Sequence, residues 1–222
     1  MSINESFTCA KCAAKSCASM DKAYPHSCLT VKAQEGGIFA DAMKEYETNA
    51  ESLSIARAAA YVESEYYCSA PRVEEIVHFA NKMNYKKIGI ATCIGLINEA
   101  RLFAGVLEAA NLSPYSVACK VGSVDKPQIG IPEEGKVSPG SFEAMCNPIL
   151  QAKMLNQEKT DLNVIVGLCV GHDSLFIKYS EAPVTILIAK DRVMAHNPAG
   201  ALYTLETYNK RLLQSIKRPE ES

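Results

Sequence analysis

From residue 87 onward, short apolar runs alternate with stretches whose apolar residues recur every three or four positions. Lys87 to Thr92, Tyr115 to Ala118, Val164 to Val166 and Val184 to Ala189 are short and rich in β-branched residues, and predict four strands. Between them the spacing predicts helices over about Asn98 to Ala110, Pro148 to Lys159 and Asp173 to Tyr179. Strand and helix in repeated alternation predict parallel βαβ units. The expected fold is therefore a Rossmann-like α/β three-layer sandwich with a mostly parallel sheet and helices on both faces.

Upstream, Ile38 to Asn84 reads as helical throughout. Thr48-x-x-Glu51 has the form of a capping box, with Leu53, Ala56, Ala60 and Tyr66 along the apolar face that follows. Pro71 suits the first turn of a further helix that buries Val73, Ile76, Val77, Ala80 and Met83. His78 on that helix reads as structural, and Cys68 as a small apolar packing residue. Asn147-Pro148 and Asn197-Pro198 are two further helix starts. The second opens a last helix that buries Ala201, Leu202, Leu205, Tyr208, Leu212 and Ile216 before the Lys217 to Ser222 tail. Val121 to Gly140 follows neither period. Its length is that of a lid, a binding loop or a disordered connector.

Composition narrows the function classes. At 222 residues, with 48% hydrophobic and 22% charged residues, the chain can bury a core. Its net charge of -2 supplies no broad basic field, which argues against nucleic acid or an anionic membrane surface as the main partner. No apolar run is long enough to span a bilayer, and Met1 to Phe7 is too polar for a signal peptide. Nine cysteines then point to a reducing cytoplasm and to metals or thiol chemistry rather than to disulfides. The expected partner is a small-molecule substrate or a redox partner protein.

Four of these cysteines stand at the N-terminus as Cys9-x2-Cys12-x4-Cys17-x10-Cys28, with His26 nearby. So short and polar a segment cannot fold on its own apolar surface. Residues 1–32 are therefore expected to form a metal knuckle, holding zinc or an iron–sulfur cluster, ahead of an α/β domain over 33–222. The spacing matches no standard zinc-ribbon or ferredoxin pattern, so the metal stays open.

The remaining pattern concerns strand ends. Right-handed βα units bring every strand C-terminus to one edge of the sheet, where open α/β folds bind ligands. Cys93, Cys119 and Cys169 each follow a strand, and Cys146 precedes the Asn147-Pro148 helix start, so all four are expected along that edge. Helix N-termini favour thiolate, and clustered thiolates call for neutralisation by a metal or an iron–sulfur cluster, here of the 4Fe-4S type. The alternative is four separate structural cysteines. His172 is either a general acid beside this centre or an exposed turn residue, whereas Asp173 reads as a helix N-cap. Lys120, Lys190, Arg192 and His196 also follow strands, where they either hold an anionic substrate group or form solvated loops. No GxGxxG follows the first strand, since Cys93-Ile94-Gly95 stands there, and a dinucleotide site gains no support.

The runs Gly167-Leu168-Cys169-Val170-Gly171-His172-Asp173-Ser174-Leu175-Phe176, Cys146-Asn147-Pro148-Ile149, Asp191-Arg192-Val193 and His196-Asn197-Pro198 carry a resemblance, to which Cys9, Cys12, Cys17 and Cys28 also conform. The chain resembles an uncharacterised bacterial and archaeal family of predicted metal-binding proteins, a domain of unknown function. The resemblance implies metal binding and nothing more about chemistry. Taken together, the expected activity is redox or sulfur-transfer chemistry on a small molecule at an iron–sulfur centre, with His172 as proton donor. Two readings compete with it: a non-enzymatic zinc-stabilised sensor or binding module, and a metal-free thiol enzyme that uses Cys169 with His172.

Overall fold

The computed structural model describes residues 8–19 and 23–214. Ile216, the Lys217 to Ser222 tail and the Met1 to Phe7 stretch lie outside the described residues. By internal contacts the chain divides into two compact units, Met1–Ser64 and Glu65–Ser222.

The first unit is helical. It contains α1 (Ser16–Ser19), α2 (Leu29–Glu35), α3 (Ile38–Thr48) and the greater part of α4 (Ala50–Tyr66). The capping box expected at Thr48 is not formed. Asn49 takes the cap, its Oδ1 accepting from the Glu51 and Ser52 amides at 3.1 Å each, while Thr48 Oγ1 donates back to Lys44 O at the end of α3. An amide side chain one residue on competes successfully because it reaches two orphan donors at once. The buried stripe of α4 is rotated from the expected one: Ala58 and Val62 are buried, whereas Ala60 is exposed.

The second unit carries the sheet. β1 (Lys87–Thr92), β2 (Ser113–Ala118), β3 (Leu162–Val166) and β4 (Val184–Ile188) are all parallel, in the order β2-β1-β3-β4. The connecting helices are α6 (Ile97–Ala109), α7 (Pro148–Gln157) and α8 (His172–Tyr179), and α5 (Arg72–Lys82) precedes β1. The path from β1 to β2 runs one way along the sheet, and the next crossover returns past β1 to β3. With right-handed crossovers, this reversal places α6 on one face and α7 and α8 on the other. β3 is buried at every position and β1 at all but its first, as expected for central strands covered on both sides.

α5 buries Ile76 and Ala80. Its Arg72 guanidinium donates to Ile186 O at 2.6 Å and to Thr185 Oγ1 at 3.1 Å on the outer strand β4. His78 is structural as expected, stacked on Tyr66 with ring centroids 3.7 Å apart. Cys68 is not packed: it is exposed, in a left-handed turn at φ 55° between α4 and α5. The last helix is also shorter than its pattern, since α9 spans only Ala199–Tyr203 and turns follow to a 3-10 helix at Lys210–Leu213. Leu202 and Tyr208, expected to be buried, are 63% and 92% exposed. Their helical spacing finds no apolar surface to pack on, and spacing alone does not sustain so short a helix.

One polar network sits in the middle of the core. Asn163 on β3 is fully buried, with Thr160 Oγ1 2.7 Å from its Oδ1 and Ser180 Oγ 2.7 Å from its Nδ2. Its partner in register is Gly89 on β1, where an added Cβ would stand 2.0 Å from Asn163 Oδ1. Gly89→Ala must therefore displace a satisfied buried amide. It is expected to destabilise the protein by roughly 2–4 kcal/mol in urea unfolding. Gly105→Ala on α6, which meets nothing within 4 Å, should stabilise it by about 0.5–1 kcal/mol in the same measurement.

Candidate functional site

The register explains which residues meet at the sheet edge. Thr92 pairs with Ala118 on one side and Val166 on the other. The next residues, Cys93 and Cys119, therefore leave the sheet side by side, and Cys169 follows β3 two residues past Gly167. The Cys119 amide donates to Thr92 O at 2.8 Å and the Cys93 amide to Val166 O at 3.2 Å. The gap between β1 and β3 is the point at which the strand order reverses, where open α/β sheets hold ligands. Gly167 turns there at φ 74°, with Leu96 packed so closely that a Cβ would meet its Cδ1 at 2.7 Å.

Cys146 joins from the start of α7. Asn147 Oδ1 accepts from the Leu150 amide at 3.0 Å, the cap expected of Asn before Pro, and the Asn147 amide donates to Cys119 O at 2.7 Å. The Cys119 and Cys146 sulfurs are consequently 3.7 Å apart. Lys190 Nζ lies 2.8 Å from Cys93 Sγ, Arg192 donates to Cys169 Sγ at 3.2 Å, and the Ile94 amide donates to Cys119 Sγ at 3.4 Å. Gly95 leaves the room that Lys190 needs, because a Cβ there would be 3.3 Å from Nζ. All four edge cysteines thus lie against a neighbouring thiol or cation.

This arrangement splits the titration of the thiols. The neighbouring Cys119 thiol, and then Lys190, hold Cys93 far below the usual thiol range, at about 4, despite its burial. Cys119, and then Lys120 and His172, bring Cys146 to about 5. Cys119 itself is raised, by Cys146 first and Cys93 second. The split favours a proton held on Cys119 and biases Cys93 and Cys146 toward thiolate, with Lys120, Lys190 and Arg192 facing them.

The remaining candidates are placed as follows. His172 opens α8 with Nδ1 buried and without a hydrogen-bond partner, facing Cys146. Asp173 is not the N-cap of α8: Gly171 holds that position at φ 84°, and Asp173 Oδ1 accepts from the Ser174 amide within the first turn. Glycine wins here because the strand must turn through the left-handed region to enter the helix. Lys120 Nζ donates to Ala144 O, tying the end of β2 to the residues before Cys146. His196 Nδ1 accepts from the Asp191 amide at 3.1 Å, so it shapes the turn that carries Arg192.

Gln151, absent from the sequence expectations, is fully buried on α7. Its Nε2 donates to Val117 O at 2.6 Å and Thr92 O at 3.1 Å, clamping the strand ends directly beneath Cys93 and Cys119. The signal was its helical register with the buried Pro148, Ala152 and Leu155.

At the N-terminus, Cys9 and Cys17 are exposed, Cys12 is half-buried, and Cys28 is buried at the N-cap position of α2. Among the described residues, no three His, Cys, Asp or Glu side chains stand ready to hold a metal ion, at either group of cysteines.

The segment from Val121 to Gly140, expected to be irregular, is folded on itself. It contains 3-10 turns at Lys126–Ile129 and Glu133–Gly135, and Asp125 bridges to Ala144. Lys136 is buried at its centre, with Nζ 2.6 Å from Glu133, 3.4 Å from Asp125 and 3.0 Å from Ser141 O. Glu143 accepts from the Val137 and Ser138 amides and pairs with Lys126, which hold its carboxyl at about 2. These pairings join residues far apart along the loop, Asp125 to Ala144 and Lys126 to Glu143 among them, so no local period reveals them. The folded loop delivers the chain to Cys146.

Two outcomes test the site. Lys136→Met strands two carboxylates inside the loop, and limited proteolysis between residues 121 and 145 should accelerate while far-UV circular dichroism is unchanged. Iodoacetamide alkylation of Cys146 in chelated protein should stay level from pH 8 to 6 and fall as the pH drops through about 5. In Cys119→Ala, which loses the largest contact favouring the Cys146 thiolate, the fall should begin at a higher pH than in the wild type.

Residues 28–187 match a family described as a protein of unknown function, DUF1847. An uncharacterised protein of the archaeon Methanocaldococcus jannaschii is 50% identical over 187 residues, which is 84% of this chain and 94% of that protein. The family match takes in Cys28 and all four edge cysteines, stops before Lys190, and leaves Cys9, Cys12 and Cys17 outside. No helix among the described residues is long and apolar enough to cross a membrane. With its parallel sheet, its row of strand-end cysteines and this breadth of match, the chain belongs to the DUF1847 family.

Proposed function

We propose that the sheet edge is a thiolate metal centre of the iron–sulfur class that carries out redox or sulfur-transfer chemistry on a small anionic molecule. The observation that supports it most directly is the convergence of Cys93, Cys119 and Cys146 at the strand-order reversal, with Cys169 held beside them by Arg192. Two of these sulfurs are biased toward thiolate, the form a soft metal requires. Ligation asks only that the thiol side chains turn inward, since their backbones are anchored by the strand ends and by α7. When bound, such a centre supplies electrons or a reactive sulfur.

The surrounding residues have separate tasks. Lys190, Arg192 and the Ile94 amide donate to the sulfurs, the kind of contact that tunes an iron–sulfur potential. Once a metal neutralises the thiolates, the same cations and Lys120 are free to hold an anionic group. His172, with its Nδ1 unpaired beside Cys146, holds or delivers the proton.

A second reading, a single zinc ion in a sensor or binding module, is favoured by the sulfur spacing. The 3.7 Å between Cys119 and Cys146 is close to the edge of a thiolate tetrahedron, about 3.8 Å for a metal–sulfur bond of about 2.3 Å. A cluster would hold the thiolates farther apart. The N-terminal Cys9, Cys12, Cys17 and Cys28 are in either case proposed to take a second metal, zinc or iron–sulfur.

Purification without oxygen, followed by metal and acid-labile sulfide analysis, separates the two. The iron–sulfur reading expects brown protein with iron and sulfide in equal amounts, both lowered in Cys93→Ser and Cys146→Ser but not in Cys68→Ser. Zinc without sulfide, lowered in Cys93→Ser and Cys146→Ser, supports the second reading. A protein that binds neither after reconstitution overturns both.

A further inference from the structure

We propose that Cys119 and Cys146 form a redox-active dithiol that reduces low-molecular-mass disulfides, with Cys146 as the attacking thiol and Cys119 as the resolving one. The inference deepens the redox reading above and rests on it for the location of the site, but it requires no metal.

The geometry singles out this pair among the edge cysteines. Their sulfurs are in van der Waals contact at 3.7 Å. Their backbones run side by side, because the amide following Cys146 donates to the carbonyl of Cys119 at 2.7 Å. Touching sulfurs on backbones joined by a hydrogen bond are the arrangement from which a disulfide closes with little movement. Both positions are anchored as well, Cys119 by its own amide to Thr92 O and Cys146 by the capped start of α7. Cys93 also neighbours the Cys119 thiol, but it is buried and held by Lys190, and Cys169 lies against Arg192.

Access sets the roles. Cys119 is 2% exposed, whereas Cys146 is half-buried, so an incoming disulfide reaches Cys146 first. Lys120 and His172 flank it.

The chemistry balances as follows. The Cys146 sulfur attacks one sulfur of RS–SR′, the S–S bond breaks, and R′S⁻ leaves and takes up a proton. The Cys119 sulfur then attacks the Cys146 sulfur of the mixed disulfide, forming the Cys119–Cys146 bond, and RS⁻ departs with the proton that Cys119 gives up. Two electrons pass from the protein dithiol to the substrate, which becomes two thiols. An external dithiol such as dithiothreitol reverses the change.

The test uses the full chain, stripped with chelator under nitrogen, exposed to oxidised glutathione, alkylated and mapped by mass spectrometry. The expected result is a Cys119–Cys146 linked peptide with loss of two of the nine alkylatable thiols, restored by dithiothreitol. Cys119→Ser should stop at a glutathione adduct on Cys146, and Cys146→Ser should form no link. A Cys93–Cys119 link, a link through Cys169, or full alkylation of Cys119 and Cys146 would overturn the proposal, and the wild-type map decides this whether or not the variants fold. Failure to link in a protein that holds iron and sulfide before stripping removes this inference alone. A link in a protein that never takes up metal removes the metal reading alone.

Discussion

Everything at the edge of the sheet depends on the position of β1 between β2 and β3 with all three strands parallel. This register aligns Thr92, Ala118 and Val166, so the residues that follow emerge together at one level. It also reverses the direction of chain progress, and the loops after β1 and β3 therefore part and leave a gap between them. The core is fitted to that register. Gly89 is needed because Asn163 lies across from it, and Gln151 reaches from α7 to the carbonyls of Thr92 on β1 and Val117 on β2. Thr92 O accepts from the Cys119 amide as well, so Gln151 adds a second donor there and ties the two strands together just below the cysteines.

Above that floor the problem is electrostatic. A thiolate removed from water is costly unless something opposite or polar stands against it. Here Cys119 shares its proton between its neighbours while Lys190 sits 2.8 Å from Cys93. Arg192 donates to the Cys169 sulfur from a turn built by Asp191 and His196. The centre is thus held nearly neutral without metal. Arrival of a cation or oxidation of two thiols would leave positive charge in excess. The proposed metal uptake, dithiol oxidation and anion binding would therefore be coupled through one charge balance.

The long segment after β2 belongs to the same design. Its buried Lys136 serves as an internal counterion around which Asp125, Glu133 and Ser141 gather, in place of an apolar core that so few residues cannot form. Lys120 and the Asp125–Ala144 bridge then pin its exit beside β2. The position of Cys146 relative to Cys119 is set at both ends, by this loop on one side and by the Asn147-Pro148 helix start on the other.

Local periodicity in the amino-acid sequence was enough to determine the four parallel strands and their helices, the Asn147 cap and the strand-end location of Cys93, Cys119 and Cys169. Burial and capping act over a few residues, and their marks are therefore legible. Where a choice depended on distant partners, only the tertiary structure decided it. The charges between Asp125 and Glu143 look like those of a solvated loop until Lys136 is seen buried among them. The apolar spacing of Leu202 and Tyr208 looks like a helix until no surface is found to receive it. Asp173 yielded the cap to Gly171 because the turn out of β3 demands a left-handed residue. The sequence announced the cysteines as candidates. Which sulfurs touch, and which cations face them, followed from strand order and register, which no single segment contains.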